Sequence, residues 1–142
     1  MNGTYNVCRL VASHLSKLSP LQGDESTGIL VLVSSISYQD GQTGQTCYAS
    51  TKGAIASLTL PMARDLARHK IRVATIAPGV FESPMYARME KKAMQNLLAA
   101  TEWPARLGSG KDFAKAVESM VENEMWNGTV VRLDGAVRLG KL

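Results

Sequence analysis

The sequence predicts an α/β fold built on a parallel sheet, and three observations predict it. The apolar runs at 29–33 and 71–76 are short and continuous, the pattern of strands covered on both faces. Longer stretches with helical spacing, 4–18 and 47–68, flank the first run, and a further helix is expected from Ser109 to about Val121. A third short run, 129–133, then follows, so that helix and strand alternate along the chain. At 142 residues the chain fits one ordinary domain.

Each element has its own signal. Val7, Leu10, Val11 and Leu15 recur at helical spacing and predict the first helix. A polar, turn-rich stretch, 19–28, leads into the first strand. The long helix begins after a loop rich in Gly and Gln, 40–45, and carries Pro61, which removes a backbone donor and crowds the preceding turn, so a kink is expected there. His69 and Lys70 form the joint to the second strand. An extended connection, 103–108, precedes Ser109, whose spacing to Asp112 is that of a helix-starting cap. Asn127 and Gly128 signal a turn before the last strand.

The chemistry gathers in Ser35, Tyr48 and Lys52. On a helix an i, i+4 pair shares one face, which sets the Tyr48 phenol beside the Lys52 ammonium. A free tyrosine ionises near pKa ~10, and a neighbouring positive charge favours the phenolate, so the pair reads as a general acid or base with its electrostatic tuner. Ser35 stands just past the carboxyl end of the first strand, where open α/β sheets bind ligands, and its hydroxyl can hold an alcohol or polarise a carbonyl. Tyr-x-x-x-Lys by itself is also a common half-exposed helical pair. The order strand, Ser, loop, Tyr and Lys, second strand, then Pro78 and Gly79 is what gives the pair its meaning.

In Ser35, the Tyr48 and Lys52 pair, Pro78 and Gly79 after the next strand, and the closing run Val131, Arg132, Leu133, Asp134 and Gly135, the chain resembles the short-chain dehydrogenase/reductase family. The resemblance extends over essentially the whole chain. It implies the C-terminal half of a doubly wound, Rossmann-type parallel sheet with flanking helices. Residues 1–142 would then be a partial dinucleotide-binding domain whose N-terminal, glycine-rich half is absent. It also implies an oxidoreductase that passes a hydride between NAD and a secondary alcohol or ketone, with a 3-hydroxyacyl-CoA or a hydroxysteroid as substrate. Tyr48 would be the catalytic acid/base, Ser35 the substrate-binding residue, and Lys52 both the tuner of Tyr48 and a donor to the nicotinamide ribose. Phe81 and Ser83 would hold the nicotinamide end of the cofactor, with Ser83 keeping the hydroxyl of the Thr expected there.

The family's catalytic asparagine would fall one residue before Met1; Asn2 and Asn6 lie off the matching position and take no role from it. Residues 82–100 would form a loop and helix over the site, with Met85, Tyr86, Met89 and Leu97 available to line an acyl or sterol pocket. A homo-oligomer, a tetramer in the family, and a mitochondrial location are implied in the same way. A cytoplasmic location is the alternative. Two other readings stand beside the NAD enzyme: an NADPH-dependent ketoacyl reductase, and a catalytically incompetent binding or scaffold chain. Without the pyrophosphate contacts, each charge-assisted bond worth roughly 1.5–3 kcal/mol, the chain alone is expected to hold the cofactor weakly.

Composition narrows the classes further. The net charge is a mild +4, with basic residues spread among acidic ones, so nucleic-acid binding is not indicated. No apolar stretch reaches a membrane span, and no targeting segment opens the chain. Cys8 and Cys47 form neither a disulfide framework nor a metal site and are expected as small core or near-core residues. His14 and His69 have no partner at metal spacing and read as structural. The Asn-x-Thr patterns at Asn2 and Asn127 are common by chance.

Overall fold

The computed structural model describes residues 2–20, 23, 25–84 and 91–140, with the side chains of 91–93 left aside. Helix α1 spans Asn2–Leu15, strand β1 Gly28–Val33, the short helix α2 Ser37–Asp40, and the long helix α3 Thr46–Leu66. A 3-10 turn at Ala67–His69 then leads to β2, Ile71–Pro78. Helices α4, Lys91–Ala99, and α5, Gly110–Glu122, precede β3, Val130–Leu133. The strands form one parallel sheet in the order β1-β2-β3. Gly28 pairs with Ile71 and Val33 with Ile76, while Thr75 pairs with Val130 and Pro78 with Leu133.

Alternation along the strands sorts the core into two layers. Leu30 and Leu32 of β1, with Ile71 and Val73 of β2, pack on Cys8 and Ala12 of α1 and Ile55 and Ala63 of α3. Ile29 and Val31 point the other way, with Ala74 and Ile76, onto Phe113, Val117 and Met120 of α5. Helices therefore cover both faces, as the continuous apolar strands require.

Several sequence expectations shift. On α1 the stripe Val7, Leu10 and Val11 is not the buried face; these residues remain exposed, and Cys8, Ala12 and Leu15 meet the sheet. Small residues at i and i+4 let the helix approach closely, which leaves the larger side chains outside. Cys47 is exposed rather than near-core, in the first turn of α3, before the buried residues of that helix begin at Ile55. Cys8 is buried, and the apolar surroundings push its thiol pKa up. Helix α3 runs through Pro61 as one helical segment. Pro61 and Ser57, whose carbonyl loses its i+4 donor, are both exposed, so water can serve that carbonyl.

The turn before β3 is held from two sides. Gly128 adopts φ 71°, a conformation that favours glycine, and its amide donates to the Val73 carbonyl at 2.7 Å. The Asn127 side chain accepts from the Val73 amide at 3.0 Å. Among the described residues, no helix is long and apolar enough to cross a membrane and no group of three or more His, Cys, Asp and Glu side chains gathers as a metal site. Met85, Tyr86 and Met89 lie outside the described residues. Leu97 is partly buried on α4.

Candidate active site

Strand β1 delivers two serines to its carboxyl end. Ser34 is buried; its amide donates to the Ile76 carbonyl at 2.8 Å, and its hydroxyl donates to the backbone carbonyl of Lys52 at 2.8 Å. That second bond fastens the first turns of α3 to the end of the sheet. Ser35 follows at once and opens α2: its hydroxyl accepts from the Ser37 amide at 3.2 Å, and its carbonyl from the Tyr38 amide at 3.0 Å. Ile36 donates to the Pro78 carbonyl at 3.1 Å, which ties this turn to the end of β2.

Tyr48 stands one turn before Lys52 on α3 and is 45% exposed, so a reactant can reach it. The Lys52 ammonium lies 5.8 Å from the centre of the Tyr48 ring, within the range of a cation–π contact. It also donates to the Val33 carbonyl at 3.3 Å. Because Ser34 turns its amide toward β2, the preceding residue presents its own backbone groups to the outer edge of β1. Lys52 thus occupies an edge carbonyl that has no strand partner among the described residues. Its ammonium carries three donors, of which Val33 takes one. The structure therefore brings Tyr48 and Lys52 together and places Ser35 one residue from the bond that joins β1 to Lys52.

Phe81 is placed differently. Gly79, after β2, packs so closely on Asp134 that an added Cβ would come within 2.9 Å of its Cα. The chain then forms a bridge in which the Gly108 amide donates to the Val80 carbonyl at 2.9 Å and the Glu82 amide to the Gly108 carbonyl at 2.8 Å. The Phe81 ring lies over Gly108 and meets Phe113 of α5 edge to face, with centroids 6.0 Å apart. It borders a cavity of about 140 Å³ between Val80, Leu133 and Gly135. The ring is thus engaged in packing. Ser83 is half-buried two residues further on.

Sequence reasoning passed over Ser34, whose buried hydroxyl supports the lysine's backbone; its signal was a second hydroxyl residue directly after an apolar strand. It also passed over Arg132 as an anchor for Asp40, since 92 residues separate the partners and no local pattern links them.

Comparison with known proteins bears on the family and the fold. A family described as "short chain dehydrogenase" matches residues 1–94. Over 137 residues the chain is 42% identical to 3-hydroxyacyl-CoA dehydrogenase type-2 of Mus musculus, which covers 96% of this chain and 52% of that protein. The crystal structure of 3-hydroxyacyl-CoA dehydrogenase type-2 from Mycobacterium avium superposes with a TM-score of 0.91 at 43% identity, over 100% of this chain and 55% of that one. A 7α-hydroxysteroid dehydrogenase complexed with NADH and 7-oxo glycochenodeoxycholic acid superposes with a TM-score of 0.83 at 25% identity, over 97% and 52%. The three-stranded sheet is accordingly part of a Rossmann-type fold. The chain spans about half the length of the curated relatives it matches. With the family match covering 94 of its 142 residues, the chain belongs to the short-chain dehydrogenase family.

Proposed function

We propose that the chain carries the proton-transfer centre of an oxidoreductase that moves a hydride between NAD and a secondary alcohol or ketone, with a 3-hydroxyacyl-CoA or hydroxysteroid substrate. The observation that carries this reading is the Tyr48–Lys52 contact beside the serine turn at the end of β1. The donor set fits a nicotinamide ribose: an ammonium with two donors beyond its bond to Val33, next to a reachable phenol. Tyr48, Lys52, Phe81 and Ser83 would hold that end, Phe81 through its backbone because its ring is packed on Phe113. NAD, when bound, supplies the hydride acceptor.

The chain's residues do the rest. The Ser35 hydroxyl donates to the substrate oxygen and holds it toward Tyr48. As the carbinol C–H bond breaks and its electron pair leaves as hydride, the alcohol proton passes to the Tyr48 oxygen and a C=O bond forms. In reduction the same proton returns to the carbonyl oxygen. The Lys52 charge stabilises negative charge on the phenol oxygen between the two halves of the cycle.

The names of the relatives support a hydroxyacyl or steroid substrate, and the NADH complex supports a nicotinamide cofactor. The likeness supports a homo-oligomer, to which the exposed apolar residues of α1 would contribute, and a mitochondrial setting as in the resemblance. A chimera that places residues 1–142 behind the amino-terminal half of the mouse relative tests the reading. NADH formation from a short 3-hydroxyacyl-CoA and from a hydroxysteroid ranks the substrates, and NADP in place of NAD tests the ketoacyl-reductase alternative. Tyr48→Phe is expected to lower kcat at least about 100-fold; retained turnover in that variant would sink the reading.

A second reading, a non-catalytic binding or scaffold chain, is favoured by the outer edge of β1, where Lys52 is drawn to the Val33 carbonyl. It predicts that the chimera stays inactive while residues 1–142 co-purify with a whole member of the family.

A further inference from the structure

We propose that Arg132 is a positioning residue for Tyr48, acting from the far strand through Asp40. The inference rests on the catalytic reading of Tyr48 and deepens it.

Arg132 stands on β3, and its side chain is only 15% exposed. Its guanidinium grips Asp40 as a fork, with bonds of 2.6 and 3.1 Å to the two carboxylate oxygens, and reaches Gln39 Oε1 at 3.2 Å. Its other side is fixed by Asp134 at 2.8 Å and by the Val137 carbonyl at 2.8 Å. Asp40 and Asp134 are 13% and 8% exposed, so the pairing is shielded from solvent, and Arg138 adds a longer contact to Asp134 at 3.4 Å. A planar fork held from behind fixes both the place and the direction of the carboxylate it binds.

What that carboxylate holds is the segment between the two reacting hydroxyls. Asp40 ends α2, four residues long, which starts two residues after Ser35 and is too short to be stable alone. The amides of Gln39 and Asp40 both donate to the Ile36 carbonyl at 3.0 Å, so a shift of Asp40 is passed to the serine turn. On the other side, Gly41 abuts the first turn of α3: a Cβ there would lie 3.0 Å from the Ala49 Cβ, next to Tyr48. The Ala49 amide then donates to the Gln45 carbonyl at 2.7 Å. Arg132 therefore anchors, through charge and geometry, the element on which Ser35 and the start of α3 both lean. The C-terminal segment adds two neutral ties to this loop, a backbone hydrogen bond from Leu139 to the Asp40 carboxylate and the 3.4 Å bond of Gln42 Nε2 to the Gly140 carbonyl, neither of which supplies charge or a fork.

The test uses the 142-residue chain labelled with 3-fluorotyrosine, which reports on its four tyrosines by fluorine NMR. Tyr48 is assigned by the signal lost in Tyr48→Phe. Arg132→Lys keeps the charge and removes the fork; Asp40→Asn weakens the same link from the other end and leaves the Arg132 pair with Asp134 in place. In both variants the Tyr48 signal is expected to shift or broaden while that of Tyr5 on α1 stays fixed. Amide exchange over residues 36–49 should rise roughly tenfold or more, the effect of losing one charge-assisted bond on a local opening, with β2 unchanged. An unmoved Tyr48 signal overturns the proposal, and so does a change shared by all tyrosines and β2, or unfolding of both variants, since each makes Arg132 a residue of general stability. No readout depends on turnover, so a Tyr48→Phe chimera that still transferred hydride would end the catalytic reading and leave this result standing.

Discussion

Thr59 of α3 and Thr75 of β2 meet with their hydroxyls 2.6 Å apart, both fully buried. Each hydroxyl has one proton, and that of Thr59 is given to the Ile55 carbonyl at 3.0 Å, so the shared bond is donated by Thr75. The two threonines are therefore unequal. Thr59→Val leaves the Thr75 proton buried without an acceptor and is expected to cost about 1–3 kcal/mol, while Thr75→Val leaves Thr59 still bonded and costs less. Urea midpoints of the two variants check the order, and equal losses would refute the assignment. Asp40 gives a pH-dependent case. The hydrogen bond from Arg132 holds its carboxyl below the ordinary range against a smaller upward push from burial, and the Arg132 charge and the Leu139 amide add lesser downward effects. A lowered folded pKa contributes stability that is present above the unfolded value near ~3.9 and lost as pH falls through the folded one. The urea midpoint should thus fall on acidification from about pH 5, and Asp40→Asn should flatten that acid limb.

Helix α5 shows why some elements were legible in the sequence and others were not. Its start is a local pattern: the Ser109 hydroxyl accepts from the Asp112 amide, and the Asp112 carboxylate accepts from the Ser109 amide at 2.8 Å, as the three-residue spacing announced. Arg106 pairs with Asp112 from an exposed position, so that ion pair adds little. Its end is held by Arg72 of β2, which donates to the carbonyls of Met120, Val121, Asn123 and Trp126. Those partners lie 48–54 residues away, and no periodicity reports them. A buried guanidinium at a helix C-terminus satisfies carbonyls that otherwise lack donors and opposes their partial negative charge. Ser109→Ala is expected to lower stability by about 1 kcal/mol and Arg72→Met by at least about 2 kcal/mol. Denaturant titration of both decides whether the distant cap outweighs the local one. The first helix was legible in kind but not in orientation, because spacing marks a helix without saying which of two adjacent faces the sheet will take. Here the smaller side chains of Cys8 and Ala12 won that face.

At the scale of the whole molecule, the order of the candidate site residues was readable because each sits at a fixed offset from a strand end, whereas the packing of the Phe81 ring depended on Gly108, far along the chain. What the sheet leaves uncovered bears on assembly. Strand β1 has β2 on one side and no described strand on the other, and α1 beside it keeps Tyr5, Val7, Leu10 and Val11 exposed at 50%, 60%, 63% and 39%. Val7, Leu10 and Val11 fall at i, i+3 and i+4, so they form one contiguous apolar stripe rather than scattered contacts with water. Contiguous apolar patches of this kind mark interaction surfaces, and a self-complementary stripe on a helix suits a two-fold pairing between copies. Leu10 lies in the middle of the stripe and makes no contribution to either core layer. Leu10→Glu should therefore leave the thermal midpoint nearly unchanged while placing a charge in each copy's half of the contact. In sedimentation velocity the original chain is expected to run as an associated species whose fraction rises with concentration, and the variant as a slower, smaller one. If the variant kept its fold and sedimented as the original does, assembly would have to use the β1 edge instead, and blocking that edge rather than the helix would be the change that separates the copies.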